Sequence, residues 1–305
     1  MNIIEKIENI SDKPKVVTIG NFDGIHKGHQ SLIKKTQEIS HTESLESVIF
    51  TFDMLPEEIF KQSHFQRIYN NKQKFDYIKL HEINTILSIN FNDIKDFSAS
   101  FFCEEILIKK LLTKYLIIGK NFKFGKGREG DINKLYEYHN AGDFHLIIPE
   151  LEKYDNEHIS STRVRKLIKD GKFSDVKNCL GREYMLRGIV TTGEQLGRKL
   201  GYPTANISLD YDYPLDGVYL SKICVDGIFY YGLASVGNKP TYNGREKILE
   251  VFILDFNQDI YNKEVDVYFL DFIRKQIKFD SQDELIKQMN EDHKYAIINS
   301  KNYGI

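Results

Sequence analysis

The chain has 305 residues, and its 42 basic and 44 acidic side chains leave a formal charge of −2, which excludes a global pull toward nucleic acid or an anionic membrane surface. That length exceeds one comfortable hydrophobic core, so two domains are expected. No apolar run reaches the roughly 18 residues of a membrane span, Met1–Lys15 lacks the apolar stretch of a signal peptide, and three scattered cysteines (Cys103, Cys179, Cys224) suggest neither a disulfide frame nor a zinc site, so a reducing cytoplasm is the expected location.

Up to about residue 150, apolar runs at Val16–Ile19, Val48–Phe52, Ile83–Ile89, Tyr115–Ile118 and Phe144–Ile148 read as strands. Helical segments are predicted between them near 28–40, 70–81, 98–112 and 130–140. Strand–helix alternation implies a Rossmann-like parallel sheet covered by helices, with ligands at the C-terminal strand ends. Thr162–Leu180 reads as helical with a break at Gly171, closing a first domain at residues 1–181. A second domain, 182–305, has another rhythm. Glu183–Thr192, Val218–Val225, Ile228–Val236, Ile248–Phe256 and Glu264–Phe272 read as consecutive strands, with Asp226-Gly227 as a two-residue hairpin turn. They predict an antiparallel β-barrel, followed by a terminal helix opened by the capping box Ser281-x-x-Glu284.

The most informative stretch is Gly20-Asn21-Phe22-Asp23-Gly24-Ile25-His26-Lys27-Gly28-His29. It lies between the first predicted strand and a helix with Leu32, Ile33 and Ile39 on one side. Three glycines let the backbone turn tightly, so N–H groups and two imidazoles stand at the positive end of a helix, where phosphate binds. His26 and His29, three residues apart, share one side of the first turn and can donate to phosphate without a full positive charge. The pattern resembles the G-x-F-D-G-x-H-x-G-H motif of the nucleotidyltransferase superfamily, and its Asn-Phe-Asp-Gly form is similar to bacterial FAD synthetases. That resemblance implies ATP or phosphate contacts from Gly20, Phe22, Asp23, Gly24 and Gly28, with His26 and His29 as catalytic residues.

Ile159-Ser160-Ser161-Thr162-Arg163-Val164-Arg165 precedes a predicted helix. Taken alone, its hydroxyls could be ordinary caps or, with the arginines, phosphate ligands. The segment resembles the I-S-S-T-x-x-R signature of the same enzymes, which assigns Ser160, Ser161, Thr162 and Arg165 to ATP. Gly119–Arg128 alternates aromatic and basic residues in a glycine-rich loop after a strand. It is similar to the G-x-[DN]-F-x-F-G flavin-side loop, implying flavin contacts from Asn121, Phe122, Phe124 and Arg128. One departure concerns Asp53-Met54-Leu55-Pro56. Leu55 stands where family members usually carry a His, and Leu cannot donate to phosphate, which bears on the rate of adenylyl transfer.

A second constellation runs from Gly193 to Asn206 and includes Gly197, Lys199 and Pro203-Thr204-Ala205-Asn206. Its glycines allow a flap over phosphates, and Thr204 and Asn206 offer the oxygen donors that Mg²⁺ prefers. Glu250 is a lone acid among Ile248, Leu249, Val251 and Phe252: either an outward strand residue or a general base for a hydroxyl. The stretch Gly201–Asn206 resembles the G-x-P-T-A-N motif of riboflavin kinases, and Val236–Thr241, Leu249–Phe256 and Phe272-Ile273-Arg274 match that family in order. The resemblance places the catalytic Glu at 250, ATP contacts at Gly193, Gly197 and Lys199, metal ligands at Thr204 and Asn206, and a flavin contact at Arg274.

Together the two resemblances cover nearly the whole chain in the order of bacterial bifunctional riboflavin kinase/FMN adenylyltransferases. They imply ATP-dependent phosphorylation of riboflavin to FMN, adenylylation of FMN to FAD, and Mg²⁺ as cofactor. The implied partners are the small molecules riboflavin, FMN, FAD and ATP, with no nucleic acid or membrane; no motif encodes an oligomeric state. Two alternatives stay open at this point: a flavokinase whose N-terminal domain is slow or regulatory, and a non-catalytic flavin-binding sensor.

Overall fold

The computed structural model describes residues 1–61, 65–192, 201–241 and 244–304, with backbone alone at 61, 238–241 and 244–246. The chain forms two compact units, Met1–Phe65 with Asn71–Ser161 and Gln66–Asn70 with Thr162–Ile305.

In the first unit, six parallel strands β1 (Asn2–Ile4), β2 (Lys15–Ile19), β3 (Glu46–Phe52), β4 (Thr85–Ile89), β5 (Thr113–Ile117) and β6 (His145–Ile147) make one sheet in the order β1-β4-β3-β2-β5-β6. Every residue of β2 and β4 is buried, as expected for a parallel sheet covered on both faces. Alternation along β2 sends Val16 to one face, with Leu32 and Ile33 of α1 (Lys27–Glu43). It sends Val17 and Ile19 to the other, with Phe102, Cys103 and Leu135. Strand order reverses at β2, whose neighbours are β3 and β5, and such a switch point opens a crevice at the C-terminal strand ends.

The predicted strands and helices of this half are present, with additions. Strand β1 was too short to read, and α2 (Pro56–Lys61) carries too few apolar residues to show a period. The next helix is α3 (Asn71–Lys79). The predicted helix 98–112 is an α-turn, α4 (Ala99–Phe101) capped by Ser98, that runs into a π-helical stretch, Phe102–Lys110. Asp131 caps α5 (Ile132–Ala141) by accepting from the backbone N–H of Asn133, and Gly142 ends it at φ +87°. A two-residue ribbon, β7 (Lys153–Tyr154) with β8 (Glu157–His158), follows β6.

The second unit is a closed antiparallel barrel of β9 (Met185–Thr191), β10 (Thr204–Ile207), β11 (Gly217–Val225), β12 (Ile228–Thr241), β13 (Gly244–Ile253) and β14 (Glu264–Arg274), ordered β10-β13-β12-β11-β14-β9. Closure removes the edges. The Asp226-Gly227 turn has positive φ at both residues, 50° and 83°, as a two-residue hairpin requires. Helices α6 (Ser161–Lys169) and α7 (Phe173–Leu180) are separated at Gly171, at φ +70°. By compactness, Thr162 onward groups with the barrel, because Phe173 lies edge-on to Tyr219 with centroids 5.7 Å apart and 6.0 Å from Phe269. Burial pushes the Tyr219 hydroxyl up to about 12, and that oxygen accepts from the Asp216 N–H. The terminal helix α8 (Gln282–Ser300) starts as read: Ser281 Oγ accepts from the Glu284 N–H, while the Glu284 carboxylate reaches back to the Asp280 N–H. Its Ala296 and Tyr295 pack with Val218, Leu220, Leu233 and Leu270 of the barrel wall.

Gln66–Asn70 joins this unit from the first half of the sequence. The Arg67 N–H donates to Asp212 O at 2.9 Å, its guanidinium lies 4.0 Å from the Tyr211 ring, and Tyr69 stacks on Tyr184 at 5.7 Å. Tyr69 is 2% exposed. Replacing it with Ala removes a buried ring from the barrel unit, and Tyr69→Ala is expected to lose about 3–5 kcal/mol in denaturant unfolding monitored on that unit.

Candidate active sites

The first site begins in an over-determined turn. After β2 the backbone takes positive φ at Phe22 (50°), Gly24 (85°) and Ile25 (41°). For a β-branched Ile this conformation is strained, of order 1–3 kcal/mol, and persists only where the surroundings hold it. Phe22 and Ile25 are fully buried. Gln30 Nε2 donates to Ile25 O and Ser161 Oγ to Asp23 O, both at 2.8 Å, and the Gly20 N–H donates to Phe50 O at 3.1 Å.

His26 is the N-cap of α1. Its Nδ1 accepts from the backbone N–H of His29 at 3.3 Å, and an N–H can only donate, so Nδ1 carries no proton and the neutral ring's hydrogen is on Nε2. The two imidazoles stack with centroids 3.7 Å apart and 17° between planes, and Phe22 lies 5.1 Å from His29. Gly28 leaves room for this arrangement, since a Cβ there would stand 3.2 Å from the His26 ring, a tight contact.

These rings line a cavity of about 770 Å³ at the strand ends of the switch point. Of the sequence-predicted residues, Gly20, Phe22, His26, His29, Asn121, Phe122, Phe124, Arg128, Ser160 and Ser161 are brought together in its wall. Asp23 and Gly24 belong to the turn behind it; Asp23 is buried and contributes its carbonyl to Ser161. Thr162 and Arg165 follow on α6, in the second unit. Phe124 is part wall, part core: it packs on Phe102 at 5.6 Å and pairs with Gly130 in an isolated bridge. Leu55 is 1% exposed, and its N–H donates to the Glu58 carboxylate, so the residue in place of the family's His is a core side chain.

The sequence reading missed the aromatic wall from Phe52, Phe60 and Phe91, and the pair Asn21–Glu57, whose amide donates to the carboxylate at 2.9 Å. It read the basic loop that holds Lys120 but missed the Lys153 and His158 that join it at the rim. Lys120 Nζ lies 3.2 Å from His158 Nε2, and Lys153 is the cross-strand partner of His158. Lys120 follows β5 while Lys153 and His158 sit on the β7–β8 ribbon, and only the spacing of basic residues near each strand end could have hinted at their meeting.

In the second unit, register does what spacing could not. Asn206 on β10 is directly opposite Glu250 on β13, and Thr204 is opposite Phe252. Cross-strand partners share a face with Cβ atoms about 4.5–5.5 Å apart. Leu249 and Val251 are fully buried, so Glu250 and Asn206 face outward from the barrel. Tyr202, just ahead of Pro203, donates to Asn290 of α8 at 2.6 Å and lies 5.0 Å from the Phe252 ring. Arg274 is engaged by Asp292 of α8, with Nε to Oδ1 at 3.0 Å and Nη2 to Oδ2 at 2.7 Å. Gly193, Gly197 and Lys199 lie outside the described residues.

Comparison with known proteins follows the same division. Residues 8–163 match the FAD synthetase family and 180–298 the riboflavin kinase family. A bifunctional riboflavin kinase/FMN adenylyltransferase from Buchnera aphidicola (Schizaphis graminum) is 36% identical over 301 residues, 96% of each chain. The Escherichia coli K12 protein of that name is 32% identical over 299 residues, again 96% of each.

This chain belongs to the bifunctional riboflavin kinase/FMN adenylyltransferase family.

Its first unit carries the FAD synthetase match and its barrel the riboflavin kinase match. A solved structure from Streptococcus pneumoniae, described as a macrolide-efflux protein, is similar at TM-score 0.80 and 34% identity over 96% of this chain and 97% of that one. Among the described residues here, no helix is long and apolar enough to cross a membrane.

The cap geometry of His26 makes a prediction for stability alone. His26→Ala removes the acceptor for the His29 N–H and is expected to lose about 1 kcal/mol, whereas His26→Ser supplies a good N-cap oxygen and regains most of it. Urea unfolding midpoints of the two variants check this.

Proposed function

We propose that the barrel phosphorylates riboflavin to FMN with ATP, and that the N-terminal unit adenylylates FMN with a second ATP to give FAD and pyrophosphate. The observation that carries this reading is the pairing of two unlike constellations on separate compact units. Stacked imidazoles stand in a cavity in one, and a carboxylate stands opposite an amide in the other.

The two reactions ask for different chemistry. FMN phosphate is already an anion, so adenylyl transfer needs alignment and relief of charge rather than a base. In this reading the His26 Nε2–H, the His29 ring and the contacts assigned to Gly20, Phe22, Asp23, Gly24 and Gly28 hold the ATP phosphates. Ser160, Ser161, Thr162 and Arg165 complete that set. Asn121, Phe122, Phe124 and Arg128 take the flavin side. Riboflavin presents a primary alcohol, which must lose a proton as it attacks. Glu250 takes that proton, and Arg274, steadied by Asp292, is the flavin contact. Gly193, Gly197 and Lys199 are assigned to ATP.

Thr204 and Asn206 lie two residues apart on one face of β10, and their hydroxyl and carbonyl oxygens suit Mg²⁺, which takes few protein ligands beside substrate phosphates. Among the described residues no cluster of three His, Cys, Asp or Glu forms a dedicated metal cage. Bound there, Mg²⁺ would neutralise charge on the ATP phosphates.

We place the functional boundary at Gly181, dividing the chain into 1–181 and 182–305, with riboflavin, FMN, FAD and ATP as small-molecule partners and the cytoplasm as location. The thiols fit a reducing compartment: Cys103 is buried, and burial pushes it up to about 12, which keeps it protonated and inert.

Incubation with riboflavin, ATP and Mg²⁺ followed by flavin separation is expected to yield FMN and then FAD. FMN alone would favour a flavokinase with a slow or regulatory N-terminal unit, which the buried Leu55 would explain; neither product would mark a sensor. His29→Ala is expected to lower FAD formation by on the order of 10²-fold. Glu250→Gln should abolish riboflavin phosphorylation and leave adenylylation of supplied FMN intact. Loss of both in a folded Glu250→Gln protein would contradict two independent sites.

A further inference from the structure

Thr204 and Asn206 stand on a strand whose first half has little backbone support. β10 has four residues, and it is paired with β9 only at Asn206 and Ile207, so in the sheet Thr204 and Ala205 are held by β13 alone. Pro203 precedes them and has no N–H to add to the ladder. Gly201, at φ +84°, turns the chain just ahead. A strand end with few ladder bonds opens locally at low cost, so its placement depends on contacts outside the ladder.

Tyr202 makes such contacts. Its hydroxyl donates to Asn290 Oδ1 of α8 at 2.6 Å. Its ring meets Phe252 edge-on at 5.0 Å and His293 of α8 at 6.0 Å, and Phe252 meets His293 at 5.6 Å, so three rings close a triangle. Phe252 is also the cross-strand partner of Thr204 on the outward face. Across the sheet from Phe252, its partner Leu233 and then Leu220 pack with Ala296 and Tyr295 of α8. The triangle therefore ties the start of β10 to a helix that is itself anchored on the barrel wall.

We propose that Tyr202, clamped by Asn290, His293 and Phe252, is a positioning residue for riboflavin phosphorylation: it fixes the first residues of β10 and so holds Thr204 in place for Mg²⁺ and ATP. The inference rests on the assignment of Thr204 to the metal. A threonine is stiff at χ1, so the backbone decides where its hydroxyl points, and Mg²⁺ demands near-ideal ligand geometry. Tyr202 acts through Thr204 and moves no proton in the reaction.

Two measurements on the full chain test this. In hydrogen–deuterium exchange of the free protein, Tyr202→Ala is expected to exchange about tenfold faster over a peptide spanning 204–207, while a peptide within β11 keeps its wild-type rate. In steady-state phosphorylation of riboflavin, the same variant raises KM for ATP about fivefold and raises the Mg²⁺ concentration for half-maximal rate by a similar factor, with KM for riboflavin within about twofold of wild type. Tyr202→Phe keeps the ring and shows a smaller shift. Asn290→Ala matches it, the double variant Tyr202→Phe/Asn290→Ala is no worse than either alone, and Asn290→Asp, which retains the acceptor, stays near wild type. Adenylylation of supplied FMN reports that each variant is folded. Unchanged exchange over 204–207, exchange that quickens equally in β11, an unchanged KM for ATP, or an equal rise in KM for riboflavin would overturn the role of Tyr202. A Thr204→Ala protein with wild-type use of Mg²⁺ and ATP would instead overturn the metal assignment beneath it.

Discussion

The turn between β2 and α1 is the constraint on which the first unit depends. Three residues in a row of four, Phe22, Gly24 and Ile25, sit at positive φ, and only one of them is glycine. Such a turn does not hold itself. It is held by the burial of Phe22 and Ile25, by Gln30 from within the helix it opens, and by Ser161 from almost 140 residues further along the chain. The strained path leads into the His26–His29 pair, which lines the cavity at the point where the strand order reverses. One residue serves both purposes: the Nδ1 of His26 closes the helix end, and that same bond leaves Nε2 as the ring's donor.

The barrel solves a different problem with a different device. Its candidate groups among the described residues, Thr204, Asn206, Glu250 and Arg274, are on strands, and closure of the sheet determines which of them meet. Asn206 and Glu250 are 44 residues apart in sequence, and Ser235 belongs to a third strand, yet antiparallel pairing sets all three in one row. A slip of one residue in either pairing would turn the row inside the barrel. The bulk of Tyr219, Phe269 and Phe173 inside, and of the α8 contacts outside, opposes that slip. The segment Gln66–Asn70 adds a buried tyrosine and arginine to the same unit from a remote part of the chain.

Much of this was legible beforehand because it is local. Apolar runs with a period of two or a helical period report which faces are buried, so β2, β3, β5 and α1, the Asp226-Gly227 hairpin, the break at Gly171 and the cap at Ser281 were all readable from neighbouring residues. The strand–turn–helix character of Gly20–His29 was readable for the same reason: glycines and histidines at fixed spacing between strand and helix are a local chemical statement. Polar β10 was not readable. Thr204-Ala205-Asn206-Ile207 has no strand pattern of its own, and pairing with β13 and β9 on its two sides makes it a strand.

Local chemistry thus determined the two rhythms of the chain, the glycine- and histidine-bearing turn after β2 and the identity of Glu250 as an acid stranded among apolar neighbours. Tertiary structure alone decided which distant groups face one another: Ser161 against the Asp23 carbonyl, Asn206 and Ser235 on either side of Glu250, Arg274 on Asp292, and Leu55 turned into the core. The reason is that sheet register and loop convergence arise from burying a whole core at once, and no residue's neighbours in sequence carry that information.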